Sequence, residues 1–166
     1  MNGRAVRTWQ RGVSIVEALV ALVVLSVGML GIASLYVASI KTGRSALLRT
    51  EAVNLVNDML DRIRANPLAR EAYDLAGRED TPASQNCVGT TSNCTSEQLA
   101  EDDLASWLNA VNAVMPESTV EADVRFVASA GPGLPDEYQV SLSWREGGDT
   151  ETYSYASSMQ ILPVLP

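Results

Sequence analysis

Hydrophobic and polar positions divide this chain into stretches of different period. An uncharged, mostly apolar run extends from Ala18 to Ile40. At about 1.5 Å per residue it makes a helix of about 35 Å, enough to cross a hydrocarbon core of about 30 Å. After Lys41 the run narrows to a stripe of Leu48, Ala52, Leu55, Val56, Met59 and Ile63 at three- and four-residue spacing. Arg49, Glu51, Asn54, Asp58, Asp61 and Arg62 occupy the rest of the wheel. That period predicts a helix lying on a globular partner along one face. Only Gly43 interrupts between the two halves, so one helix of about 50 residues is expected. It stops at Asn66-Pro67, because the residue before a proline is pushed out of the α region.

The pattern then changes. Pro67 to Thr95 is polar, carries Gly77, Pro82 and Gly89, and reads as a long loop. Thr95 followed by Gln98 is a capping-box signal. Leu104, Trp107, Leu108, Val111 and Met115 give the buried face of a second helix ending at Pro116. Beyond it the period is two. Val120, Ala122, Val124 and Phe126 form one strand, and Tyr138, Val140, Leu142 and Trp144 another. Tyr153, Tyr155, Met159 and Ile161 mark a third. The segment 129–136 and the Gly147-Gly148 pair supply turns, so the strands should form an antiparallel meander covering the outer half of the long helix. The expected class is α+β.

Composition changes this picture in one respect. The 166 residues suit one compact head plus an extended element, and the formal charge is -8. Arg4, Arg7 and Arg11 precede the apolar run with no acidic residue among them. The positive-inside rule therefore leaves the N-terminus in the cytoplasm and sends the rest outward. Without those arginines nine basic groups face 20 acidic ones, a charge of -11. Nucleic acid is not an expected partner of so acidic a chain.

Cys87 and Cys94 lie in a polar loop. In an oxidising compartment such a pair is expected to form a disulfide. With no histidine and only two thiolates, no metal site is expected. The same lack of histidine removes the usual nucleophile–base arrangements, so neither enzyme activity nor a cofactor is expected. Trp107 reads as core. Glu101-Asp102-Asp103 reads as a solvated helix face, because adjacent carboxylates diverge around a helix axis.

The chemically demanding residue is Glu17. A carboxylate at the head of a bilayer-length helix costs several kcal/mol unless it is neutralised, paired or raised to the headgroup level. A cleaved secretory signal, with Gly31-Ile32-Ala33 as its cut site, and a plain uncleaved anchor are both open readings of the apolar run. A third follows from Gly12-Val13-Ser14-Ile15-Val16-Glu17. This pattern resembles the class III signal of type IV prepilins and type II secretion pseudopilins. The stretches Glu17–Gly31 and Asp58–Asn66, the spaced cysteines and Asp103–Trp107 are similar to PilV-type minor pilins.

The resemblance implies a pilin fold: a leader 1–12, a long helix 13–65 with 13–40 in the membrane or filament core, and a periplasmic head 66–166. It implies cleavage after Gly12 by a prepilin peptidase and methylation of the new N-terminus at Val13, where that family usually has Phe. Glu17 would then pair with the amino terminus of a neighbouring subunit. The implied role is a minor pilin of a tip-located initiating complex, supporting twitching motility and adhesion. Its partners would be other minor pilins, the major pilin, a tip adhesin and the inner-membrane assembly platform of a Gram-negative cell. A minor pseudopilin of type II secretion shares these features. A signal-anchored periplasmic binding module is the rival from another class.

Overall fold

The computed structural model describes residue 12 and residues 14–88, 93–116, 119–146 and 150–163. Val13, the arginines of the leader, Gly89 and the Gly147-Gly148 turn lie outside them. The chain divides between Gly43 and Arg44 into two compact units.

The first unit is the N-terminal part of helix α1, which runs from Ile15 to Ala65. Every described residue from Gly12 to Arg44 is exposed, including Leu30 at 71% and Leu35 at 72%. The helix is unbroken through Gly28 and Gly31. Its hydroxyls turn inward on their own backbone: Ser26 donates to Leu22 O at 2.7 Å, Ser34 to Gly31 O at 2.8 Å and Thr42 to Ala38 O at 3.0 Å. A helix apolar on all sides, with its polar groups satisfied locally, suits surroundings that offer no water.

The second unit is an α+β head. Leu48, Ala52, Val56, Met59, Leu60 and Ile63 of α1 are buried in it. Leu60 was not in the expected stripe, and Leu55 is only half-buried. Helix α1 ends at Ala65 as expected before Asn66-Pro67. Helix α2, Ser96–Val114, begins with the expected capping box: Thr95 Oγ1 accepts from Gln98 N at 3.3 Å, and Gln98 Oε1 accepts from Thr95 N at 3.0 Å. Trp107 is wholly buried and donates to Leu55 O at 2.8 Å, pinning α2 to α1.

Strands β1 (Glu121–Val127), β2 (Asp136–Arg145) and β3 (Thr152–Ile161) form the expected meander in the order β1-β2-β3, antiparallel throughout. Register stacks the apolar face: Val124 opposes Val140, Phe126 opposes Tyr138, Leu142 opposes Tyr155 and Trp144 opposes Tyr153. Burial is complete along the inward face of the central strand and, on the flanking strands, only at Val124 of β1. The inward residues of β3, an edge strand with one flank open, stay half-buried, as do Ala122 and Phe126 on β1.

Two expectations are corrected. The stretch read as one polar loop contains a 3-10 turn at Arg70–Tyr73, with Ala69 and Tyr73 in the core. Four residues are too few for a periodicity to show. Glu101-Asp102-Asp103 is not a solvated face. The three side chains diverge around α2, as a helix requires, and each meets its own partner: Glu101 pairs with Arg78, Asp103 with Arg62 and Tyr73, and Asp102 with the loop that carries Cys87.

Candidate processing and assembly site

At the head of α1, Ser14 Oγ accepts a hydrogen bond from Val16 N at 3.3 Å, and Ser14 O accepts from Ala18 N at 3.1 Å. A serine just before the helix satisfies an otherwise orphaned N–H and fixes where the helix begins. Glu17 therefore falls in the first turn, where the helix dipole favours a negative charge. Its side chain is exposed and makes no hydrogen bond or ion pair among the described residues. Gly12 is exposed, with no atom within 4 Å of where a Cβ would stand. Among the described residues nothing at Gly12 requires a glycine.

Cys87 and Cys94 belong to the second unit, apart from Gly12 and Glu17. They are joined, with Sγ–Sγ at 2.04 Å and Cα–Cα at 5.8 Å. Asp102, 6% exposed, organises the approach to this bridge. Its carboxylate accepts from Ser84 Oγ at 2.6 Å and from the backbone N–H groups of Gln85, Asn86 and Cys87 at 2.7, 3.0 and 3.1 Å. The Ser84 bond and these N–H donors hold the Asp102 carboxyl below its ordinary pKa, against the opposing effect of burial.

A second buried carboxylate orders another part of the head. Asp136 takes a bidentate pair from Arg70, at 2.9 and 3.0 Å, and a third bond from Ser129 N at 2.8 Å. The Arg70 bonds hold its carboxyl low although burial works the other way. Arg70 adopts a left-handed φ of 45° to make this reach. Burial, with the charge of Asp136, pushes the neighbouring Tyr138 hydroxyl up to about 12. Neither Asp102 nor Asp136 was visible as a structural carboxylate in the sequence. Only the run of donors in Ser84–Cys87, facing nothing apolar, hints that an acceptor is needed.

Residues 10–33 match the prokaryotic N-terminal methylation motif, and residues 34–105 match the family described as type IV pilin Tt1218. Over these two stretches the chain is similar to type IV pilins that carry an N-terminal methylation motif. No curated protein and no solved structure matches it. The two matches meet within α1. The first takes in Gly12, Glu17, Gly28 and Gly31, and the second takes in both cysteines and α2 as far as Ala105. The three-stranded sheet lies beyond both. Type IV pilins are structural rather than enzymatic proteins. The methylation motif implies processing by a prepilin peptidase, and with an apolar helix long enough to cross a membrane it fits a membrane-anchored pilin of a bacterial envelope.

Proposed function

We propose that this chain is a minor pilin of a type IV pilus, stored in the inner membrane with its head in the periplasm and then built into the tip-located initiating complex. The observation that carries this reading is Glu17: an exposed carboxylate in the first turn of a helix that bears no other charge as far as Lys41. Cleavage after Gly12 would create an amino terminus at Val13 and make Glu17 the fifth residue, the only carboxylate ahead of Glu51.

In a filament of parallel helices, the Val13 amine of one subunit meets Glu17 of the next. Amine and carboxylate attract strongly where water is excluded, and each desolvated charge costs several kcal/mol if left alone. A subunit out of register would bury both unpaired. The pair therefore acts as an axial ruler, while the surrounding apolar residues supply non-directional adhesion. The head, stapled by Cys87–Cys94, would present its surface to other minor pilins and the major pilin.

Intact-mass analysis of membrane-extracted protein and of sheared surface filaments tests this. The expected mass begins at Val13 in both fractions, with one added methyl group. A chain beginning at Ser34 would mean an ordinary cleaved signal. A chain processed at Gly12 but absent from filaments would favour a pseudopilin, and an unprocessed chain confined to the membrane would favour an anchored binding module.

A further inference from the structure

The two edges of the head's sheet are not alike. Along β1 the outer side is covered: Leu75 N donates to Val124 O at 2.7 Å and Phe126 N donates to Asp74 Oδ1 at 3.3 Å. Along β3 the backbone from Ser154 to Ile161 pairs only with β2 among the described residues. Soluble proteins protect such edges with lysine, proline, bulges or a covering loop. Residues 152–161 contain no charge and no proline, pair with β2 without a bulge, and expose Ser154, Ala156, Ser158 and Gln160 as a flat row of small or uncharged groups.

A cavity of about 340 Å³ adjoins this strand, lined by Arg49, Val53, Trp144, Tyr153, Ser154 and Tyr155. Arg49 lies over the Tyr153 ring, 5.0 Å from its centre, and has no carboxylate partner among the described residues although the chain is strongly acidic. Trp144 is 1% exposed, and its buried Nε1–H has no acceptor among the described residues. An open row of main-chain groups thus runs beside a cation and a donor that both lack an anionic or acceptor partner.

We infer that the β3 edge receives an extended strand from a different pilin-class subunit, with an aspartate or glutamate of that strand placed against Arg49. This rests on the pilin reading above and names the kind of partner. Main-chain pairing supplies affinity in such strand addition, and the flanking pocket supplies selectivity. The occupant is not a second copy: joined head to tail it would have to offer β1, which Asp74 and Leu75 occupy, and joined β3 to β3 it would bring a strand without the aspartate or glutamate that Arg49 calls for. The head accepts a strand on one side and stops the sheet on the other, which suits a subunit that starts or ends a contact rather than repeating it.

The test uses the full-length chain in its own cells, with a photoreactive benzoylphenylalanine at Ser158. This exposed position tolerates a large side chain, and folding of each variant is checked by the Cys87–Cys94 bridge and far-ultraviolet circular dichroism. Irradiation should join Ser158 to another chain that itself bears an N-terminal methylation motif, at a segment containing Asp or Glu. Arg49→Glu should lower adduct yield about tenfold, and Arg49→Lys should keep it within about twofold. Adducts only to a second copy, to lipid or to an unrelated protein would overturn the inference. So would no adduct, or an Arg49→Glu yield equal to wild type. Filament content is measured in the same culture: a chain present in filaments without the adduct defeats this inference alone, whereas absence from filaments defeats the pilin reading.

Discussion

Asp102 Oδ2 accepts a hydrogen bond from Cys87 N at 3.1 Å, so a carboxylate on α2 holds the backbone leading into the disulfide. With Ser84, Gln85 and Asn86 also donating to it, Asp102 does for this irregular segment what a ladder does for a strand. Asp102→Ala should destabilise the head by about 1–3 kcal/mol, the cost of leaving such donors without their charged acceptor. Asp102→Asn should fall between. Chemical denaturation of oxidised protein checks this, and limited proteolysis should cut Asp102→Ala near Ser84–Cys87 first.

The Cys87–Cys94 bridge closes a short loop that has little apolar surface to bury: Val88 is 90% exposed. Its contribution is therefore expected through chain entropy, about 2–3 kcal/mol. Replacing both cysteines with serine should lower the unfolding free energy of the head by that amount, read from its denaturation curve, and leave membrane insertion unchanged. Peptide mapping without reduction should recover the two cysteines in one cross-linked fragment, and two freely alkylated thiols would contradict the structure.

Acid should unfold the head through Asp102 and Asp136. Both carboxyls are held below their ordinary values, by Ser84 and backbone N–H groups in one case and by Arg70 in the other. Their contribution is complete above the unfolded-chain value of about 4 and is lost as pH falls through the lower folded values. Stability should be level from pH 7 to about 5 and then decline below about 4. Asp136→Asn should lower stability at neutral pH and flatten that acid limb.

Much of this architecture was legible from periodicity. The end of α1 at Asn66-Pro67, the Thr95–Gln98 capping box and the three alternating strands each depend on neighbours within a few residues, and each appeared where the pattern put it. What escaped depends on distant partners. Tyr73 is buried because Asp103 and Asn66 reach its hydroxyl, and Asp136 because Arg70 bends toward it across the fold. Asp102 looked like one of three surface acids, since a sequence shows the helix that carries a carboxylate but not the donors opposite. At the N-terminus the reverse holds: Gly12 and Glu17 are conspicuous in the sequence, yet Glu17 has no partner among the described residues.

The central claim is that Glu17 finds that partner in another subunit. Glu17→Ala should still insert and be cut after Gly12, since removing a charge eases burial of the helix. It should also leave the head folded, because Glu17 lies in the first unit and the buried core begins at Leu48 in the second. The direct measurement is the ratio of this variant in sheared filaments to that in the membrane fraction, beside wild type. A ratio reduced about tenfold or more, with normal processing and an intact Cys87–Cys94 bridge, is the expected result. A ratio equal to wild type, with normal pilus number, would contradict the pairing and leave Glu17 as a carboxylate at the membrane surface.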